Sequence, residues 1–434
     1  MAREMKDSGI EWIGEIPQEW DLVKTKHCYS NQKVIVGENA DEYERLALTL
    51  NGVIKRSKYD STGLQPEVFT GYQILHKNEL VFKLIDLENI STSRVGYSPY
   101  TGIVSPAYIV LHPDESKESR FGEYYFLSMW QREIFNHMGD DGVRSSLNAK
   151  DLMNTPYLNA SSMEKERIVY YLDTQCAHID SVIEKTRAAI EEYKRLKQSV
   201  ITQAVTKGIR PNREMKDSGI EWIGEIPKEW NFIISRFLID QIGDVDHYMP
   251  VSVDNGIPYV MTGNLKKFIS EIDFEKCKKV SEADYNSLCG KIKHSVGDVI
   301  FARYATIGTV CYVDKDEKCV ISYSCVTIKP NKKHLDGKFL FYYLQSSTFF
   351  EEVSQFINSN TQGNVGIEAL YRIRIPKTSI SEQSEIVSYL DEKTAAIDSL
   401  IQKKEQLITE LEAYKKSLIY EYVTGKKEVP VHAH

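Results

Sequence analysis

The chain repeats itself, and this constrains its fold more than any other feature. Met5 to Trp20 reads MKDSGIEWIGEIPQEW and Met215 to Trp230 reads MKDSGIEWIGEIPKEW. Fifteen of these sixteen positions match at an offset of 210. A second block matches at an offset of 218. There Tyr171-Leu172-Asp173 meets Tyr389-Leu390-Asp391, Ile179-Asp180-Ser181 meets Ile397-Asp398-Ser399, and Val205-Thr206 meets Val423-Thr424. The interiors, about 21–143 and 231–361, keep only a skeleton. LVF (80–82) resembles VIF (299–301), IVSPAYIVLHP (103–113) resembles VISYSCVTIKP (320–330), and RSSLNAKDL (144–152) resembles QGNVGIEAL (362–370). Two copies thus share a frame and differ inside, in line with the two or three domains that 434 residues suggest.

Period gives the elements. Over 163–206, Ile168, Leu172, Ile179, Ile183, Ile190, Tyr193 and Val200 recur at steps of three, four or seven, one apolar face of a helix. Residues 381–424 repeat the pattern with Ile386, Leu390, Ile397, Ile401, Ile408, Leu411 and Leu418. Neither segment contains Gly or Pro, so each predicts a helix of roughly 65 Å at 1.5 Å per residue. An apolar stripe that long needs a partner, and the other copy supplies it. We expect helix–helix packing through Ile168, Leu172, Ile179, Ile183, Ile386, Leu390, Ile397 and Ile401. Ser162 with Lys165 makes a poor capping box and Ser381 with Ser384 and Glu385 a better one, while Gly208 and Gly425 are the expected C-terminal stops. Short β-prone runs fall at Val34–Val36, Leu80–Phe82, Ala107–Leu111, Val299–Phe301 and Val326–Ile328, with helices over Phe121–Asn136 and Phe339–Phe350. The fold class is therefore α/β (α+β): two mixed globular domains joined by two long antiparallel coiled-coil helices with pseudo-two-fold symmetry. The boundaries are 1–160, a central helix 161–210, 211–380, a C-terminal helix 381–425 and a tail 426–434.

Composition excludes several classes. Apolar residues are 42% and charged residues 27%, as in soluble globular proteins. No apolar run approaches a membrane span, the first twelve residues hold no signal-peptide core, and seven cysteines without a CxxC pair point to reduced thiols. A cytoplasmic location is expected. A net charge of −8 argues against coating nucleic acid by bulk charge; any contact must come from local clusters.

The alternation of variable domain and long helix resembles the specificity subunit of type I restriction–modification enzymes. The resemblance rests on the MKDSGIEWIGEIPxEW openings and on the closing helices with their YLD and ID repeats, and it runs from Met5 to about Gly425. It implies that each variable domain is a target recognition domain reading half of a bipartite, asymmetric site in double-stranded DNA. The helices act as spacer and dock two methylation (M) subunits, which motor–nuclease (R) subunits join. It further implies that S-adenosylmethionine, ATP and magnesium belong to those partners, with no cofactor bound by this chain. Half-sites on one face of B-DNA lie about one turn, roughly 34 Å, apart, which helices of this length can span. A protein-binding coiled-coil scaffold is the alternative.

Candidate DNA-binding residues follow from local chemistry. Leu46 to Tyr59 contains Lys55, Arg56 and Lys58 with no acid, suiting phosphate contact in a Gly-containing loop; a solvated turn is the other reading. Arg94 could donate two bonds to a guanine edge, or be an ordinary loop arginine. The loop GVRSSLN (142–148) matches TQGNVG (361–366), aligning Arg144 with Gln362 and Ser146 with Asn364; Arg suits guanine, and Gln or Asn suits adenine. In the second domain Arg303 and Tyr304 end a strand, with ion pairing of Arg303 to an acid such as Asp298 as the other reading. Lys266 and Lys267, like Lys278 and Lys279, are phosphate candidates or solvated surface. Trp12, Trp20, Trp222 and Trp230 are expected to pack the repeated openings against the helices. The exposed helix faces, with Lys185, Arg187, Lys194 and Arg195 on one and Glu405, Glu410 and Glu412 on the other, are candidate docking surfaces or simply solvated charge.

No catalytic residues emerge. The chain has no phosphate-binding GxxxxGK[ST] loop and no GxGxxG opening a helix. Ser98-Pro99-Tyr100 and Thr155-Pro156-Tyr157 lack the second proline of an amino-methyltransferase motif. Pro113 to Lys117 resembles a nuclease set compressed into one surface loop. The ten histidines show no metal-ligand spacing, so no metal site is expected.

Overall fold

Ser161-Ser162-Met163-Glu164 and Ser379-Ile380-Ser381-Glu382 start the two long helices in the same way. The Ser161 hydroxyl accepts from the Glu164 amide at 3.3 Å, and that of Ser379 from the Glu382 amide at 3.2 Å. The caps are therefore Ser161 and Ser379, not Ser162 and Ser381. The S-x-x-E pattern marks a capping box, but each Glu side chain turns to a tryptophan instead. The long helices, α3 (Ser162–Lys207) and α8 (Ile380–Val423), have 46 and 44 residues. Gly208 and Gly425 end them at φ 71° and 68°, a left-handed conformation that glycine adopts without penalty. A Cβ there would strike Arg213 or Pro17.

The computed structural model describes residues 3–60, 68–87, 92–115, 118–138, 146–266, 272, 274–357 and 363–430. It divides into one unit of Met1–Thr186 with Gln406–His434, and a second of Arg187–Glu405.

The first unit opens with the hairpin β1 (Met5–Asp7) and β2 (Glu15–Pro17), then β3 (Asp21–Lys24) and β4 (Tyr29–Ser30). There follow β5 (Arg45–Thr49), β6 (Gly52–Arg56), β7 (Gln73–Leu75), β8 (Leu80–Phe82), β9 (Val95–Tyr97), β10 (Gly102–Val104) and β11 (Ile109–Pro113). Helix α1 (Glu118–Gln131), helix α2 (Ala149–Met153) and β12 (Pro156–Asn159) lead into α3. Two four-stranded sheets, β6-β5-β10-β7 and β4-β11-β8-β9, carry the recognition fold, and β12 pairs with β3 beside them.

The second unit repeats the hairpin as β13 (Met215–Asp217) and β14 (Glu225–Pro227), followed by β15 (Asn231–Ile234), β16 (Ile239–Gly243), β17 (Ile257–Val260) and β18 (Lys278–Val280). Next come α4 (Glu282–Leu288), β19 (Val299–Ala302), β20 (Val310–Tyr312), β21 (Val320–Ile321) and β22 (Cys325–Pro330). Helices α5 (Gly337–Tyr343), α6 (Ser347–Ser354) and α7 (Ile367–Leu370) and strand β23 (Arg374–Lys377) precede α8. Sheet β16-β22-β19-β20 has the order of β4-β11-β8-β9, and β18-β17-β21 keeps the order and sense of β6-β5-β10 but has no counterpart of β7 among the described residues.

Some local expectations shift. Val34 and Ile35 are exposed and form no strand beyond a bridge from Ile35 to Gln73. The helix expected over Phe121–Asn136 breaks where Glu133 turns left-handed, and a 3-10 turn follows at Ile134–His137. The helix expected over Phe339–Phe350 divides at Ser346, whose hydroxyl caps α6 by accepting from the Phe349 amide. Both breaks are local side-chain and backbone choices that apolar periodicity does not encode.

The apolar stripes meet inside each unit. In the first, Ile168, Leu172, Ile179 and Ile183 of α3 join Leu418, Ile419, Tyr422 and Val423 of α8 in one core. In the second, Ile201, Ala204 and Val205 of α3 share a core with Ile386 and Leu390 of α8. The start of one helix thus packs with the end of the other, so the segments run antiparallel in both units. Ile397 is buried and Ile401 half-buried. Leu172 and Leu390 are wholly buried, and truncating either to Ala costs about 2–5 kcal/mol. One ion pair occurs twice, at an offset of 218: Lys415 Nζ to Asp180 at 2.7 Å and Lys197 Nζ to Asp398 at 2.6 Å.

Candidate nucleic-acid interface

A duplicated joint fastens each recognition fold to the helices. The Tyr124 hydroxyl of α1 donates to Asp173 at 2.7 Å, and Arg120 pairs with the same carboxylate. In the second unit Tyr342 donates to Asp391 at 2.6 Å and Lys338 Nζ lies 2.7 Å from it. Burial, reinforced by the neighbouring carboxylate, pushes both phenols above their ordinary pKa, so each stays a donor. Trp20 Nε1 donates to Glu164 at 2.8 Å and Trp230 Nε1 to Glu382 at 2.9 Å. Arg3 adds a second link to Glu164, and Arg213 one to Glu382. Trp20 and Trp230 are wholly buried, Trp12 lies tilted against Tyr125, and Trp222 stays exposed. The opening therefore packs through its second tryptophan, which the acid at the helix start selects. This is why the YLD and EW positions recur.

The faces carried by these joints differ. Leu46 to Tyr59 is mostly a hairpin, β5–β6, turned at Leu50-Asn51, and not a loop. Arg56 pairs with Asp60 at 2.7 Å, and Lys58 donates to the Ala40 carbonyl at 2.6 Å. Lys55 is exposed, lies 5.5 Å from the Tyr100 ring centroid, and faces no carboxylate among the described residues. Tyr59 at the end of the segment is 96% exposed. Arg94 is 0% exposed: its guanidinium donates to Thr92 at 2.9 Å and to the Asp86 carbonyl. Burial also lowers its pKa from the ordinary guanidinium value. The assignment of Arg94 to a guanine edge is corrected on this ground, because the side chain props an internal loop and does not reach a groove.

The aligned loops come back at one structural position. Ser146 is exposed and bridges to Ile85, and Asn364 bridges to Tyr304 in the second unit. Arg144, Gln362 and Lys267 lie outside the described residues. Arg303 is buried: it donates to Asp244 at 2.8 Å and lies 3.1 Å from His247 Nε2. Asp298, the acid first considered for it, pairs instead with Lys329 at 2.6 Å. Arg303 therefore holds the loop of Asp244 and His247, and Tyr304 beside it is half-buried. His247 stacks on Tyr323 at 4.9 Å, and Tyr248 and Met249 next to it are exposed. Sequence reading passed over His247, whose setting depends on an arginine 56 residues away. Lys266 is exposed; Lys278 donates to the Pro250 carbonyl, and Lys279 is half-buried in β18. The charged faces at Lys185, Arg187, Lys194, Arg195, Glu405, Glu410 and Glu412 are exposed. All seven cysteines are free thiols.

Residues 250–410 match the family described as the type I restriction modification DNA specificity domain. The MjaVIII type I restriction enzyme specificity subunit of Methanocaldococcus jannaschii is 23% identical over 428 residues, covering 95% of this chain and 94% of that protein. Among solved structures, one chain from work on complex assembly and conformational transition of the type I R-M system matches with a TM-score of 0.68 at 14% identity, over 95% of this chain and 99% of that one. The HsdS subunit from Thermoanaerobacter tengcongensis matches with a TM-score of 0.51 at 16% identity, over 95% and 98%. The duplicated fold and the matched domain together point to the class of DNA-specificity proteins. Over nearly its whole length the chain is similar to specificity subunits of type I restriction enzymes, and residues 250–410 match the DNA specificity domain of that family. Its role is DNA sequence specificity rather than catalysis, which does not favour the protein-binding scaffold. No helix among the described residues is long and apolar enough to cross a membrane.

Proposed function

We propose that the recognition fold of each unit reads one half of a bipartite, asymmetric site in double-stranded DNA, and that the paired helices set the spacer between the halves. The helices also dock two methylation subunits, to which motor–nuclease subunits add. The methylation subunits use S-adenosylmethionine and the motor–nuclease subunits ATP and magnesium, all acting in the cytoplasm. The observation that carries this reading is the contrast between frame and interior. The joints at Asp173 and Asp391 are built alike, while the interiors they carry share a strand order but differ in sequence almost throughout and by the edge strand β7. Identical mounts with unlike faces suit two unlike half-sites.

In the first unit the reading surface comprises the β5–β6 hairpin with Lys55 on phosphate, and the strand edge at Ser146. In the second it comprises the edge at Tyr304 and Asn364, His247 stacked on Tyr323, and Lys266. Arg144, Gln362 and Lys267 remain candidates by alignment and charge. Base-edge contacts specify and phosphate contacts position, so Arg144→Ala relaxes one base position at a cost of roughly 1–3 kcal/mol.

The test is genome-wide mapping of adenine methylation in cells expressing this chain with its methylation subunits. A second strain carries a chain whose interior 21–143 comes from a relative of different specificity. One half of the mapped motif should change and the other stay. A motif that changes in both halves, or in neither, defeats the assignment.

A further inference from the structure

One side-chain cluster plays no part in reading DNA or mounting the domains. His76, Glu79 and His112 offer ligand atoms that all lie within 4.8 Å of one another. The backbone sets them. His76 follows β7 and Glu79 precedes β8, with Asn78 between them in a left-handed conformation at φ 71°. Strand β11 pairs with β8 through Leu111 and Leu80, which puts His112 opposite Glu79. Glu79 Oε1 lies 3.1 Å from His76 Nδ1 and 2.5 Å from His112 Nδ1, and Oε2 accepts the His76 amide at 2.7 Å.

The far side of His112 is also built. Its Nε2 lies 2.8 Å from the Gln32 carbonyl. A carbonyl only accepts, so Nε2 carries the hydrogen and Nδ1 is the atom turned to the carboxylate. A carbonyl on the second nitrogen is how proteins orient a metal-bound imidazole. The second unit makes the comparison sharper. There Asp298 stands where Glu79 does, takes the Ser295 amide at 2.8 Å, and pairs with Lys329 at 2.6 Å. Ser295 and Lys329 cannot form a neutral-imidazole ligand set; their counterparts His76 and His112 can.

We propose that His76 Nδ1, Glu79 Oε1 and His112 Nδ1 form a site for a divalent transition-metal ion of the zinc class, with water as the fourth ligand. Two imidazoles and one carboxylate are a standard zinc donor set. Zinc–ligand bonds of about 2.0–2.1 Å in a tetrahedron put ligand atoms about 3.3 Å apart. The two contacts of Glu79 therefore open by under about 1 Å, and the half-exposed His76 ring has room to adjust. The ion clamps the β7–β8 turn to β11.

The test uses the full chain with His432→Ala and His434→Ala in every sample, to remove tail histidines that could chelate. Zinc stoichiometry is read by competition with a chromophoric chelator, and cobalt(II) substitution by its visible absorption. The expected result is one ion per chain, a four-coordinate cobalt spectrum and a melting temperature raised by zinc. In H76S/H112K, which copies the second unit, the spectrum and the tight ion should vanish while the melting temperature in chelator stays the same. If the double variant fails to melt cooperatively, H76S alone, which keeps the His112–Glu79 contact, carries the test. Unchanged zinc binding in the folded variant, or none in the parent chain, overturns the site.

Discussion

Tyr124 and Asp173 are the contact by which the first recognition fold meets the helix, and their coupling can be worked out. A hydrogen bond to a charged acceptor contributes about 1.5–3 kcal/mol when it is shielded. The Asp173 side chain is 43% exposed and that of Arg120 34%, so solvent screens the ionic part and the low end applies. Tyr124→Phe should therefore cost about 1.5 kcal/mol. Asp173→Ala removes the acceptor for both donors and leaves a buried phenol short of a partner, at about 2–3 kcal/mol. Once Asp173 is gone, Tyr124→Phe should cost little, giving a coupling of about 1–1.5 kcal/mol. Tyr342 and Asp391 have the same geometry at 2.6 Å and should give the same coupling, with Lys338 in place of Arg120. Urea unfolding followed by tryptophan fluorescence measures both cycles, each on its own transition if the units melt apart. A coupling below about 0.3 kcal/mol, the usual limit of additivity, in either unit would show that the YLD repeat is not a joint.

Three further outcomes follow. Lys55→Ala should weaken binding to all DNA sequences and reduce the slope of log affinity against log salt by about 0.9; an unchanged slope in a filter or fluorescence titration removes Lys55 from the phosphate contacts. Burial alone would raise the Glu382 carboxyl, but hydrogen bonds from Arg213, Thr378 and Trp230 outweigh it and hold its pKa below the ordinary value. Its contribution to stability is thus complete above the unfolded pKa of about 4.3 and is lost as pH falls through the depressed folded value. Glu382→Gln should flatten the acid side of the melting-temperature profile, and parallel profiles would contradict the assignment. Inserting four helix-forming residues after both Thr186 and Lys404 adds about 6 Å to each helix, close to two base-pair steps of about 3.4 Å. Methylation mapping should show a longer spacer between unchanged half-sites; an unchanged spacer refutes the role of the helices.

The frame was legible and the reading face was not, for a physical reason. Helix extent, the stripe through Leu172 and Leu390, and the glycine stops depend on residues within a few turns of one another, so period and composition reveal them. The caps at Ser161 and Ser379 are legible too, since S-x-x-E stands at both helix starts. The fate of a cation, by contrast, depends on what the fold brings from afar. Arg303 is held by Asp244, 59 residues away, and Arg94 is sealed inside a loop. Lys55 stayed on the surface while Arg56 and Lys58 found local partners. Equal-looking basic residues therefore divided into props and candidates only once tertiary neighbours were known. The His76, Glu79 and His112 cluster has the same character: Glu79 and His112 stand 33 residues apart, outside any spacing rule.

The same division bears on how such a chain can change specificity. Each mount consists of a tyrosine and a cation on one recognition helix, one aspartate on the long helix, and a buried tryptophan held by a helix-start glutamate. None of these groups lies on the proposed reading edges at Ser146 or at Tyr304 and Asn364. Substitutions at the edges act on exposed or half-exposed positions, where stability changes are usually within about 0.5 kcal/mol. Substitutions in the mount touch buried or charge-paired groups and cost several times more. A face can therefore diverge until it shares only a strand skeleton with its counterpart while the mount stays nearly invariant between the two copies. That gradient of cost, imposed by burial, accounts for the buried Ile13, Ile16, Pro17 and Trp20 recurring as Ile223, Ile226, Pro227 and Trp230 beside interiors that share only a skeleton of sequence.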